Sequence, residues 1–193
     1  RTGRVTSAAR DWNTEINVGA AGFVDFSLAW GTRADLDFYV YAPDGTLAGR
    51  AYTLSNPEKL RVDTTRYGTG RYRVRVNLYS GPDSDFTLTA AGYKEETVTG
   101  SVSSTQRDGN HEKAIAYTGA GKFTLSWSHR SDLDLFVYDP SGRERGRAYT
   151  LNNPEVLEVA LDVTGTWRAR VNFYSGAGGA YTLKMTTPAA ILS

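Results

Sequence analysis

Two stretches of this chain, residues 2–60 and 99–157, superimpose at a constant offset of 97 without a gap, and 30 of the 59 positions are identical. Asp35-Leu36-Asp37 with Val40-Tyr41 returns as Asp132-Leu133-Asp134 with Val137-Tyr138, and Arg50 to Leu54 followed by Asn56-Pro57-Glu58 returns as Arg147 to Leu151 followed by Asn153-Pro154-Glu155. A two-residue shortening then changes the offset to 95, so that Asn77-Leu78-Tyr79-Ser80-Gly81 returns as Asn172-Phe173-Tyr174-Ser175-Gly176. Whatever this chain folds into, it must do so twice. The repeat divides it into residues 1–93 and 94–193, each of roughly 90 residues, which is large enough for one hydrophobic core.

Within each copy the apolar residues recur with period two, and no helical period persists. Phe26, Leu28 and Trp30 share a face, as do Leu36, Phe38 and Val40, and Val74, Val76 and Leu78. Turn signals separate these runs: Gly19 and Gly22, Pro43-Asp44-Gly45, Asn56-Pro57, Gly68 to Gly70, and Ser80-Gly81-Pro82-Asp83. About eight short strands per copy follow, at the spacing of an antiparallel β-sandwich. Ala91 to Thr99 reads as a short, partly β-prone link, and the tail after Thr187 as a frayed end.

Composition narrows the function classes. The formal net charge is +1 with both signs interleaved, and nucleic-acid binding calls for a basic stripe. The chain has no Cys, which excludes disulfides and thiolate metal sites. No apolar run approaches the roughly 20 residues of a membrane-spanning helix. The chain begins at Arg1 rather than Met and is read as part of a longer precursor. Twelve Tyr and four Trp favour β-structure and amphipathic contact surfaces.

Alternation points Asp35, Asp37, Tyr39 and Tyr41 away from the core, with Arg73, Arg75, Asn77 and Tyr79 outward on the strand 73–79. Copy two repeats this with Asp132, Asp134, Phe136 and Tyr138 against Arg168, Arg170, Asn172 and Tyr174. Two readings of this face stand side by side. It is a polar ladder that fixes register if the strands are neighbours, or a flat binding platform made of Tyr39, Tyr41, Arg75 and Tyr79, and of Phe136, Tyr138, Arg170 and Tyr174. Asp35 and Asp37 lie roughly 7 Å apart by strand rise, overlapping the spacing of an inverting acid/base pair, but any Asp-x-Asp strand has that spacing. His111 and His129 lack partners at metal or triad spacing, and neither a nucleophile elbow nor a phosphate loop is present. No enzymatic activity is expected. Asp11, Asn13 and Glu15, repeated as Asp108, Asn110 and Glu112, would join a calcium site if their segment curls; otherwise they form a capped turn leading into a solvated strand.

The ordered motifs resemble the bacterial pre-peptidase C-terminal domain. Copy one carries Trp30, Asp35 to Tyr41, Pro43, Gly45, Asn56-Pro57-Glu58, Gly70-Arg71-Tyr72, Tyr79-Ser80-Gly81 and Phe86-Thr87-Leu88. Copy two carries Trp127, Asp132 to Leu135, Tyr138, Pro140, Gly142, Asn153-Pro154-Glu155, Gly165-Thr166-Trp167, Tyr174-Ser175-Gly176 and Tyr181-Thr182-Leu183. The resemblance implies an all-β fold of two tandem jelly-roll-like sandwiches, appended without catalytic function to a secreted bacterial protease. It is similar to the collagen-binding domains of clostridial collagenases, which also use calcium. Their calcium site draws on an acidic stretch before the first strand. Arg1 to Arg4 has no acidic residue, while Glu95 and Glu96 precede copy two, so the resemblance extends calcium to copy two through these glutamates. The implied partners are the catalytic domain of the parent protease and an insoluble extracellular protein such as collagen. A spacer removed during maturation and a polysaccharide-binding module are the alternatives.

Overall fold

The structure is a computed structural model that describes every residue from Arg1 to Ser193. It is all-β and separates into two compact units, Arg1–Tyr93 together with Ala190–Ser193, and Lys94–Ala189.

The first unit contains β1 (Thr2–Val5), β2 (Asp11–Val18), β3 (Phe23–Trp30), β4 (Asp35–Tyr41), β5 (Leu47–Ala51), β6 (Glu58–Asp63), β7 (Gly70–Ser80) and the start of β8 (Ser84–Val102). These form two four-stranded antiparallel sheets, ordered β1-β8-β3-β6 and β2-β7-β4-β5. The eight strands anticipated from alternation are present. The inward residues of β3, β4 and β7 (Val24, Phe26, Leu28, Leu36, Phe38, Val40, Val74, Val76 and Leu78) are almost wholly buried between the sheets. Removing each such side chain from water contributes about 1.5–3 kcal/mol, which is what holds the two sheets face to face.

The second unit uses the end of β8 with β9 (Asp108–Ile115), β10 (Gly119–Trp127), β11 (Ser131–Tyr138), β12 (Glu144–Ala148), β13 (Glu155–Leu161), β14 (Gly165–Gly176) and β15 (Gly179–Pro188). Its sheets run β8-β15-β10-β13 and β9-β14-β11-β12, the same order as in the first unit. Its core is Phe123, Leu125, Leu133, Leu135, Val137, Trp167, Val171, Phe173, Leu183 and Met185, with neighbours from the remaining strands. Pro140-Ser141-Gly142 closes the β11–β12 hairpin with Gly142 at φ 84° and its N–H bonded to the Asp139 carbonyl at 2.9 Å, a conformation that favours glycine.

Ala91 to Thr99, read as a partly β-prone link, lies wholly inside the single strand β8, whose residues belong to the first unit up to Tyr93 and to the second from Lys94. The structure corrects one sequence expectation, the frayed tail: Ile191 is fully buried in the first unit, Gly19 N–H donates to the Ile191 carbonyl at 2.8 Å, and Ser193 N–H donates to Asn17 at 3.1 Å. The last residues of copy two therefore complete copy one, and a four-residue apolar end is too short to announce itself by periodicity. Trp12 packs edge-to-face on Phe86 with ring centroids 5.1 Å apart. Copy two fills the equivalent space differently. Gly109 replaces Trp12 and Tyr181 replaces Phe86, and the Tyr181 hydroxyl lies 2.8 Å from His111 Nε2. A β-carbon on Gly109 would meet that hydroxyl at 1.9 Å.

Candidate functional site

β4 does neighbour β7, with Tyr39 opposite Arg75 and Tyr41 opposite Arg73. The two guanidiniums lie over the two rings, at 4.4 Å and 4.1 Å from the centroids. They also reach the other way, onto β2: Arg75 is 3.6 Å from Asp11, and Arg73 donates to Asn13 Oδ1 at 3.1 Å. Copy two repeats the pattern with Arg170 over Phe136 and Arg168 over Tyr138, and with donation to Asp108 at 3.0 Å and Asn110 at 2.9 Å. Such exposed ion pairs and stacked cations contribute roughly 0–1 kcal/mol each. The outer face is therefore mainly the register-fixing ladder. Tyr39, Tyr41, Phe136 and Tyr138 are half-covered by their own arginines and offer no bare platform.

The same bonds bear on the metal expectation. Asp11, Asn13 and Glu15 alternate along a regular strand and face Asn77, Arg75, Arg73 and Arg71; Asp108, Asn110 and Glu112 do the same in copy two. Side chains spaced along a strand do not converge as calcium ligands must. Glu96 pairs with Lys113, and Glu95 lies 3.5 Å from Lys184 and 3.4 Å from the Thr186 hydroxyl. No group of three or more His, Cys, Asp or Glu side chains is disposed to hold a metal. His111 is spent on Tyr181, and His129 bonds Ser131 and the Ala180 carbonyl.

Because the arginines turn toward β2 and the rings, they do not neutralise the paired aspartates of β4 and β11. Asp37 is only 6% exposed, and its carboxyl is raised to about 6 by burial first, then by the negative charges of Asp35 and Glu58. A bond from the Tyr39 hydroxyl and the charge of Arg75 oppose the shift. Asp134, 9% exposed, is also raised, by burial, Asp132 and Glu155, with Arg170 opposing. Phe136 stands where copy one has Tyr39, so the hydroxyl that helps Asp37 is missing beside Asp134. Asp35 Oδ1, Asp132 Oδ1 and Glu58 Oε2 are buried without any hydrogen-bond partner. The other oxygen of Glu58 accepts the Thr53 N–H; Glu155 Oε1 accepts both the N–H of Thr150 at 2.5 Å and its hydroxyl at 2.7 Å.

Above the acids the chain displays apolar groups to water. Tyr52, Leu54 and Tyr79 in copy one, and Tyr149, Leu151 and Tyr174 in copy two, are all exposed, Leu54 and Leu151 to about nine-tenths. The Tyr52–Leu54 and Tyr149–Leu151 stretches leave the edge strands β5 and β12. Each following loop is tied back at its asparagine, with Asn56 Nδ2 donating to the Trp30 carbonyl at 2.8 Å and Asn153 Nδ2 to that of Trp127 at 2.7 Å. The next peptide bonds, Asn56–Pro57 and Asn153–Pro154, are cis. Tyr79 and Tyr174 sit at β-bulges: Asp35 faces Ser80 but Leu36 faces Leu78, and Asp132 faces Ser175 but Leu133 faces Phe173. A bulge re-aims the extra residue. Arg10 and Arg107 donate to the carbonyls on either side of it, Leu78 and Tyr79, and Phe173 and Tyr174. In copy two the result is an open cavity of about 310 Å³ lined by Asp132, Asp134, Tyr149, Thr150, Leu151 and Tyr174.

Of the residues singled out from sequence, Tyr79 and Tyr174 belong to this site, and the other aromatic and arginine candidates form the ladder beside it. Sequence reasoning missed Tyr52, Leu54 and Glu58 with their counterparts Tyr149, Leu151 and Glu155. The available signal was that an exposed Tyr-Thr-Leu repeats unchanged in both copies, where core packing does not demand it.

No family model matches the chain. Among solved structures it is similar to the pre-peptidase C-terminal domain of a collagenase from Bacillus anthracis, at 13% identity over 47% of this chain and 88% of that one, with a TM-score of 0.43. It is also similar to the PBSX exported protein XepA, at 11% identity over 98% and 85% with a TM-score of 0.33. A third is the major capsid protein P2 from bacteriophage PM2, at 9% identity over 98% of each chain with a TM-score of 0.33.

Proposed function

We propose that each unit is a non-catalytic protein-binding module, and that the pair tethers a secreted bacterial protein, of the protease kind implied by the sequence resemblance, to insoluble extracellular protein such as collagen. One observation carries the reading: exposed Tyr149, Leu151 and Tyr174 surround an acidic floor in copy two, and copy one carries the same residues, with Tyr52, Leu54 and Tyr79 likewise exposed. Solvent-facing apolar residues that cluster, rather than scatter, mark contact sites. Tyr supplies a large contact area with few rotamers to freeze. Two such patches on one chain raise avidity whenever both can engage the same insoluble ligand.

Depletion of the intact chain by insoluble collagen, elastin and keratin tests this, with Leu54→Ser/Tyr79→Ala, Leu151→Ser/Tyr174→Ala and all four together as variants. Retention by at least one protein, weakened by either pair and abolished by all four, is the expected result. Retention that ignores the four substitutions overturns the assignment of the patch. Retention by chitin or another glycan alone makes the exposed tyrosines sugar-stacking groups. Retention by nothing leaves the spacer reading in place of this one.

A further inference from the structure

We propose that the cavity of the second unit seats a basic side chain, lysine or arginine, of the protein ligand, with Asp132 and Asp134 taking the charged end and Tyr149, Leu151 and Tyr174 the aliphatic stem. This rests on the protein-binding reading above and names the chemistry that the patch selects.

The first support is a deficit of partners. Asp134 is nine-tenths buried, lines the cavity and has no hydrogen-bond donor in the chain, and Asp132 Oδ1 is buried beside it without one. Buried carboxylates ordinarily find donors, because leaving them unpaired costs a sizeable desolvation penalty. The cations around it are committed to other groups: Arg170 to Asp108 and the ring of Phe136, Arg168 to Asn110 and the ring of Tyr138, and Arg147 to Glu144 at 3.6 Å and the ring of Tyr149 at 5.1 Å. Glu155 adds further negative charge behind the pair, since its effect on Asp134 is to disfavour ionisation. Arg170 acts on Asp134 only through its field, and neither Asp132 nor Asp134 has an ion pair in the chain.

The second support is the wall. A metal ion such as calcium asks for six to eight converging oxygens, whereas this cavity offers two carboxylates under a rim of two tyrosines and a leucine. A lysine or arginine buries a methylene stem against such a rim while its head reaches the acids, and the ring of Tyr174, which carries no arginine as Tyr149 carries Arg147, attracts the cation as well. The third support is repetition. Asp132, Asp134, Tyr149, Thr150, Leu151, Glu155 and Tyr174 are each identical to their counterparts Asp35, Asp37, Tyr52, Thr53, Leu54, Glu58 and Tyr79, although only about half of the aligned positions are. Copy two is the stronger seat, because Phe136 gives Asp134 no hydroxyl.

The test uses the full chain and blocked peptides that differ only at a central residue: arginine, lysine, citrulline or norleucine. Binding is read from amide shifts of Asp134 and Leu151. Arginine and lysine peptides are expected to bind about tenfold or more tightly than the neutral ones, and Asp132→Asn/Asp134→Asn to erase that preference with far-UV spectra and core amides unchanged. Leu151→Ser is expected to weaken every peptide. Equal binding of citrulline and arginine overturns the proposal, as does saturation of the same amide shifts by calcium alone in competition with the arginine peptide. Collagen retention that survives Asp132→Asn/Asp134→Asn but not Leu151→Ser/Tyr174→Ala refutes the basic-residue seat and leaves the protein-binding reading intact. Retention unaffected by either pair refutes both.

Discussion

Asp37→Asn should stabilise the first unit at neutral pH. In the folded chain the Asp37 carboxyl takes up its proton at about 6, against an ordinary value of 3.8. Between those pH values the folded state binds more protons than the unfolded one, so the stability contributed by this group is greatest below 3.8 and falls as the pH rises toward 6. Above 6 the ionised carboxylate sits beside Asp35 and Glu58 at a cost of at most about 3 kcal/mol, a large share of the 5–15 kcal/mol that holds a domain folded. Asparagine is nearly isosteric and uncharged, and it still accepts a bond from the Tyr39 hydroxyl. The variant should gain about 1–3 kcal/mol at pH 7.5, gain almost nothing at pH 4, and show a flatter pH profile between. Urea denaturation at both pH values, followed through the amide signals of β4 and β7, reads the first unit by itself. A variant that is less stable than the parent at pH 7.5, or whose gain is the same at pH 4, would refute the electrostatic account of this acid pair.

Three other outcomes follow from the packing. Ile191→Ala should cost the first unit about 2–4 kcal/mol and leave the second unchanged, although residue 191 ends the second copy; hydrogen exchange resolved by unit checks this. Gly109→Ala should destabilise the second unit markedly, since its β-carbon meets the Tyr181 hydroxyl, and Tyr181→Phe should recover part of the loss in a double-mutant melt. Asp139 is held below the usual carboxylate range by its bonds from Ser141, Arg143 and Arg145, so its stabilising effect is present at neutral pH and is lost as the pH falls through that lowered value. Asp139→Asn should therefore lower the melting temperature of the second unit at pH 7 and not in acid.

The candidate site was only partly legible in the residues. Alternation located Asp35, Asp37, Tyr79 and their counterparts on outward positions, but it paired the acids with Arg73 and Arg75. The arginines instead serve β2, because β7 lies between β2 and β4 and its side chains can reach to either side. A strict period of two also put Tyr79 in line with Asn77; the bulge, pinned by Arg10, breaks that line. Glu58 stood out only as part of the repeated Asn-Pro-Glu, yet it is 1% exposed and feeds its charge to Asp37.

What the sequence determined by itself is the duplication, the all-β sandwich and the core, since inward and outward residues alternate along a strand and are read directly from the order of the chain. Which strands neighbour one another across the sheet, which cations are thereby used up, and the closing of the first unit by the chain's last four residues came from the folded chain alone. Those are contacts between positions far apart in sequence. No local pattern encodes them, and the acidic cavity beneath the exposed tyrosines exists only because of them.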